Sequence, residues 1–92
     1  MPPLLVTYDL VGADTDADDY EGLTGRIEEY TQSAEVQRSV WIANVGADAE
    51  TVCNDLLSYI RSPDRLFVAQ LTGQAAWKNA ICGSPRVKEI LG

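Results

Sequence analysis

The sequence predicts a small α+β fold with the element order strand, helix, strand, strand, helix, strand, followed by a short C-terminal helix. Two observations support this order. Short β-rich runs alternate apolar and polar residues, and longer stretches between them repeat apolar residues every three or four positions. The 92 residues suffice for one domain. We therefore expect a single domain over residues 1–92, with its core at about 4–72 and a tail at 73–92.

The first predicted strand covers roughly residues 4–10, a run that is too short for an ordinary helix. Alternation divides the run between two faces, with Leu4, Val6, Tyr8 and Leu10 on one face and Leu5, Thr7 and Asp9 on the other. An ionisable residue at the end of such a strand is costly unless it faces solvent, a partner or a metal. Asp9 is therefore the first candidate functional residue.

Two stretches have the periodicity of amphipathic helices. The first runs from about 18 to 32, and its apolar stripe is Tyr20, Leu23, Ile27 and Tyr30. The second runs from about 49 to 61 after an Asp48 cap, and its stripe is Val52, Cys53, Leu56, Leu57 and Ile60. A short third helix begins at Ser84-Pro85.

The acids of residues 14–19 open the first helix, with a cap at Thr15 or Asp16. A calcium-binding loop is the alternative interpretation. Such a loop requires a glycine where Asp19 stands and a glutamate where Gly25 stands, so the helix start is favoured.

The remaining strands complete the predicted sheet. Residues 34–45 form two strands, or one strand bent near Arg38-Ser39, and residues 65–71 form the last strand. The resulting order is that of a ferredoxin-like fold, in which two helices cover one face of a four-stranded antiparallel sheet.

Composition excludes several classes of function. Histidine is absent, which removes Ser-His and Cys-His nucleophile systems and histidine metal ligation. The two cysteines are too few for a disulfide framework. The formal net charge is −7, and residues 13–35 hold eight of the fourteen acids with one base, Arg26. The chain therefore lacks the basic face of most nucleic-acid binders. No membrane-spanning stretch or signal peptide is seen, so we expect a cytoplasmic protein.

Several short motifs resemble those of a known family. The opening Val-Thr-Tyr-Asp-Leu of residues 6–10, the segment 36–41 and the segment 64–68 resemble strands of the small CRISPR adaptation subunits, the Cas-two family. Asp19-Tyr20 and Ala76-Trp77 are similar to features of its SinR-like group. VapD-type toxins are more distant relatives.

The resemblance implies a homodimer with a ferredoxin-like fold. It implies that Asp9 from each of two chains holds a divalent metal such as Mg²⁺, which activates water to hydrolyse phosphodiesters of RNA or DNA. Asp9 is thus the candidate catalytic residue and metal ligand. Tyr8, Arg38 and Ser39 are candidate substrate contacts, although Tyr8 also fits a core position and Arg38 also fits a projecting bend.

An alternative function follows from the acidic block. Cas-two proteins are usually rich in Lys and Arg after the first strand, whereas residues 14–19 of this chain hold four acids. Such a segment repels a phosphate backbone. The alternative is a non-catalytic dimeric adaptor that binds a protein partner through its acidic helix face.

Overall fold

The computed structural model describes residues 2–11, 17–30, 32–72 and 74–91. Its elements, in chain order, are β1 (Leu4–Asp9), α1 (Ala17–Glu28), β2 (Gln32–Gln37), β3 (Val40–Asn44), α2 (Ala49–Leu56), a 3₁₀ turn (Leu57–Tyr59), β4 (Arg65–Gln70) and α3 (Ser84–Leu91). The sheet order is β2-β3-β1-β4, and all neighbouring strands are antiparallel. With α1 and α2 on one face, this is the predicted ferredoxin-like arrangement.

Strand β1 lies in the middle of the sheet and is hydrogen-bonded on both sides. Val6 stands opposite Trp41 on β3 and opposite Val68 on β4. The predicted alternation is confirmed, because the side chains of Leu4, Val6, Tyr8 and Leu10 are buried in one cluster with Leu23, Ile27, Trp41, Val52 and Leu56. This helix-covered side of the sheet is called the inner face below.

The opposite side of the sheet, the outer face, is covered over β2 and β3 by α3. Val87 and Ile90 of α3 are buried against Ala34 and Ile42. The Arg86 guanidinium also donates to the Ser33 carbonyl at 3.3 Å. The sheet therefore has a core on each face, and the tail supplies the second one.

The segment 34–45 forms two strands joined by a tight hairpin at Arg38-Ser39. Ser39 has a φ of 61°, in the left-handed region that few non-glycine residues adopt. The β2–β3 register shifts between Glu35 and Gln37, which marks a bulge. Val36 lies two positions after Ala34 and packs against the same cluster on the outer face.

Some predicted helix boundaries are wrong. Helix α1 ends at Glu28, because the N–H groups of Glu29 and Tyr30 bond three residues back and tighten the last turn. Helix α2 gives way to the 3₁₀ turn after Leu56, and three residues per turn rotate Leu57 out to 50% exposure. The Asp48 cap is confirmed by a 2.8 Å bond from the Thr51 N–H. The cap at Thr15 or Asp16 lies outside the described residues.

We predict that the buried cluster between α3 and the outer face of the sheet stabilises the folded state. Ile90→Ala is expected to lower the free energy of unfolding by about 2–5 kcal/mol, because the Ile90 side chain is fully buried. The matched control Lys88→Ala changes an exposed residue of the same helix and is expected to stay within about 0.5 kcal/mol. Urea denaturation followed by circular dichroism measures both. A loss below about 1 kcal/mol for Ile90→Ala contradicts the packing of α3 on the sheet.

Candidate functional site

Asp9 is the last residue of β1 and lies at the surface. It stands opposite Arg65, the first residue of β4. An Arg65 guanidinium nitrogen donates to Asp9 Oδ2 at 2.8 Å, and the two side chains remain 72% and 60% exposed, respectively. The acid predicted from the sequence is therefore accessible, and a neighbouring base holds it in place.

The β2–β3 hairpin meets the same end of β1. The Tyr8 N–H donates to the Ser39 carbonyl at 3.2 Å, which continues the β1–β3 register beyond the Thr7–Val40 pair. The paired strand register itself ends at Thr7–Val40, and Arg38 lies with Ser39 in the turn between β2 and β3. Asp9 and Arg65, called the strand-end cluster below, thus lie at the end of β1 that the hairpin also reaches.

Arg65 is the member of this cluster that the sequence reasoning missed. Its signal was available in the fold prediction, because a ferredoxin-like order makes β1 and β4 neighbours. The first residue of β4 then stands opposite the last residue of β1. The sequence pattern does not determine the exact register between β1 and β4, and that register is what brings Arg65 opposite Asp9.

Tyr8 lies on the other side of the sheet from Asp9. Its side chain is buried on the inner face, where the Trp41 indole N–H donates to its hydroxyl oxygen at 3.1 Å. The sequence allowed either a substrate contact or a core position for Tyr8, and the structure places its side chain in the core. Trp41 is likewise a core residue.

An open concavity of about 310 Å³ adjoins Asp9 on the outer face. Thr7, Arg65 and Phe67 line it with Asp9. Phe67 is 61% exposed, the highest value among the large apolar side chains of the described residues. Phe67 is therefore a large apolar side chain that stays exposed at the Asp9 end of the outer face.

A buried carboxylate holds the strand ends in place. Asp64 accepts hydrogen bonds from the Arg61 N–H at 2.7 Å and from the Val11 N–H at 3.0 Å, and its side chain is 2% exposed. These bonds, the Arg61 bond above all, hold the pKa of Asp64 below its usual value although burial acts in the opposite direction. Asp64 thereby ties the residue before β4 to the chain just after β1, and so positions Arg65 near Asp9.

A second polar cluster joins α1 to α2. The Asp55 carboxylate accepts from the Arg26 Nε at 2.9 Å and from the Tyr30 hydroxyl at 2.5 Å. The Tyr30 and Arg26 bonds lower the pKa of Asp55, and burial together with the Asp55 bond raises the pKa of Tyr30. Arg26 also pairs with Glu29 at 2.7 Å. All of these groups are engaged with one another, so we assign the cluster to helix packing.

One described chain does not provide a complete metal site. Among the described residues there is no group of three or more carboxylate or cysteine side chains placed to hold an ion. Mg²⁺ requires close to octahedral oxygen coordination and is held by one or two carboxylates together with substrate phosphates and water. Asp9 is an exposed carboxylate of the kind that such coordination uses.

Comparisons of the chain with family models, curated proteins and solved structures found no match. The resemblance to the Cas-two family therefore stays a prediction from short motifs. No helix in the described part of the chain is long and apolar enough to cross a lipid bilayer.

We predict that Asp64 makes stability dependent on acid pH. Its folded pKa lies below the usual 3.8, so its stabilising contribution is fully present above that pH and is lost as the pH falls through the folded pKa. Asp64→Asn is expected to lower the free energy of unfolding at pH 7 and to flatten the loss of stability that occurs as the pH falls below the usual aspartate pKa. Urea denaturation at several pH values measures both.

The matched control is Asp9→Asn, which changes an exposed carboxylate of a surface ion pair. Its cost at pH 7 is expected to be about 0–1 kcal/mol and smaller than that of Asp64→Asn. Equal losses from the two substitutions contradict the positioning role of Asp64.

Proposed function

We propose that this chain acts as a homodimeric, metal-dependent nuclease that hydrolyses phosphodiesters of RNA or DNA. The observation that carries the proposal is the strand-end cluster, an accessible carboxylate paired with an arginine beside an open concavity of the sheet. A phosphodiester site needs a carboxylate for the metal and cationic groups for the phosphate. The cluster brings both kinds of group together.

The local charge supports a phosphate ligand although the whole chain is acidic. The net charge of −7 arises within residues 13–35, and the rest of the sequence is balanced. Beside Asp9, the exposed Arg65 carries positive charge, and Arg38 is an exposed residue of the hairpin that meets the same end of β1. An arginine side chain presents a planar set of donors that matches phosphate oxygens.

The Asp9–Arg65 pair is suited to exchange partners. Exposed ion pairs contribute about 0–1 kcal/mol, so little free energy is required to open this one. When Asp9 turns to a cation, the Arg65 guanidinium is released to contact the substrate phosphate. Without a bound cation, the opposite charges of Asp9 and Arg65 neutralise each other. With a bound cation, the Asp9 carboxylate is its ligand and the Arg65 guanidinium is free to contact a phosphate.

A second copy of the chain supplies a second carboxylate. The exposed Phe67 on the outer face supports self-association, since burying apolar surface stabilises a small domain. A two-fold axis then brings a second Asp9 without any further sequence requirement. A Mg²⁺ ion held by the two carboxylates would activate water and offset the charge that develops on the phosphate.

The test is cleavage of end-labelled single-stranded RNA and duplex DNA with Mg²⁺ or Mn²⁺. Asp9→Asn is expected to reduce the cleavage rate at least about 100-fold, because the amide does not hold the cation. Arg65→Gln is expected to raise KM more than it lowers kcat, since the guanidinium binds phosphate in both the ground state and the transition state. Chelation of the metal by EDTA is expected to abolish cleavage by the wild-type protein and by every variant that retains activity.

The matched control for this test is Glu50→Gln, which changes an exposed carboxylate at the start of α2, on the helix layer of the protein. It is expected to cleave at the wild-type rate. Cleavage that persists in Asp9→Asn, or that EDTA does not stop, overturns the proposed nuclease.

The second candidate function is the adaptor, and the surface of α1 supports it. Glu21 and Glu28 are exposed, as is Glu29 just beyond the helix. The one base of this acidic segment, Arg26, is already paired with Glu29 and Asp55. The described part of the segment thus presents net negative charge to solvent, which suits a basic protein surface.

One comparison separates the two candidate functions. An adaptor is expected to show no metal-dependent cleavage, and to bind a lysine-rich peptide in a salt-sensitive way that the double variant Glu21→Gln/Glu28→Gln weakens. A nuclease is expected to cleave equally well with and without that double substitution.

A further inference from the structure

A second cavity, of about 220 Å³, lies on the outer face between the tail and the sheet. Leu5, Val40 and Ile42 form its wall on the sheet side, and Trp77 and Lys78 contribute from the tail. Its volume is below the roughly 300 Å³ at which pockets for drug-sized molecules begin. A single planar ring system is therefore the size of ligand that it suits.

Most side chains that line this cavity are aliphatic, and Trp77, Gln37 and Lys78 are the ones that can contact a nucleobase. Trp77 is 37% exposed, and its indole is oriented by a 3.1 Å hydrogen bond from Nε1 to the Ser84 hydroxyl. Gln37 offers an amide with both donors and an acceptor. Among the described residues that line the cavity, Lys78 is the one with a charge, and that charge is positive. Stacking surface, amide and cation are the three groups that hold a base and its phosphate.

The cavity adjoins the strand-end cluster. Val40, which lines the cavity, pairs with Thr7 of β1, and Thr7 lines the concavity beside Asp9. The two hollows therefore have lining residues on neighbouring strands of the same face. A flexible strand with a phosphate at Asp9 can thus place a nearby base against Trp77.

We propose that this cavity binds one unpaired nucleobase of a single-stranded nucleic acid whose backbone lies at the strand-end cluster. The inference rests on the proposed nuclease function and adds its substrate class. Bases inside a duplex are stacked and paired, whereas a single strand can turn a base outward onto an aromatic side chain. The cavity therefore selects single strands over duplexes.

The test measures binding in the Asp9→Asn variant, so that no strand is cut. Fluorescence anisotropy follows a labelled ten-nucleotide single-stranded RNA, the DNA of the same sequence, its duplex, and a single strand with abasic sites. Both intact single strands are expected to bind more tightly than the duplex and the abasic strand. The RNA and DNA arms show which sugar the site prefers.

Substitutions of the residues that line the cavity test whether the nucleobase binds there. Trp77→Ala is expected to weaken single-strand binding by about 5- to 150-fold, the range for loss of one stacked base. Trp77→Phe keeps an aromatic ring and is expected to lose less, which guards against a tail that merely misfolds in the alanine variant. Gln37→Ala also weakens binding. The matched control Tyr59→Ala removes an exposed aromatic residue of the 3₁₀ turn and is expected to bind as the parent does.

Three results would overturn the pocket. The first two are equal affinity for abasic and intact strands, and binding that Trp77→Ala leaves unchanged. The third is a tryptophan emission signal, absent from Trp77→Phe, that responds to protein dilution but not to added strand, which would assign the cavity to a second copy of the chain. The wild-type cleavage assay is scored separately. Cleavage without base-dependent binding contradicts the nucleobase pocket and supports the nuclease. Base-dependent binding without cleavage contradicts the nuclease and supports the nucleobase pocket.

Discussion

The pairing of β1 on both of its edges is the constraint on which the rest of the structure depends. Because β1 lies between β3 and β4, its inner side chains can meet α1 and α2 from the middle of the sheet. Full burial of each such side chain contributes about 1.5–3 kcal/mol. The same two ladders fix where β1 ends, and therefore bring Arg65 and the hairpin to either side of Asp9. The packing of the core and the arrangement of the candidate site therefore both depend on the register of β1 with its two neighbouring strands.

Charge is divided between the two sides of the sheet. The helix layer carries exposed acids such as Glu21 and Glu28, whereas the outer face carries the Asp9–Arg65 pair and Lys78. Exposed charges more than about 8 Å apart are largely screened at physiological salt. An acidic helix layer therefore need not prevent a phosphate from approaching the strand-end cluster. The net charge of the chain is a poor guide to the potential at this one edge.

Periodicity in the sequence was enough to predict the element order, because β1 alternates strictly and α2 carries a regular stripe. Element ends were less predictable, since the 3₁₀ turn at Leu57–Tyr59 and the bonds that close α1 depend on tertiary context. The candidate site was predicted in part. Asp9 is visible as an acid in an apolar run, but Arg65, Asp64 and the Trp77 cavity become related to it only through strand register and the path of the tail.

The central claim is that Asp9 holds a divalent cation jointly with its counterpart in a second copy. Mn²⁺ titration followed by electron paramagnetic resonance, with the oligomeric state measured by light scattering on the same samples, tests it most directly. The account predicts a dimer that binds one Mn²⁺ per two chains, and a dimer of Asp9→Asn that binds none at the same concentration. A monomer, one tightly held Mn²⁺ per chain, or unchanged Mn²⁺ binding in Asp9→Asn would contradict the shared site.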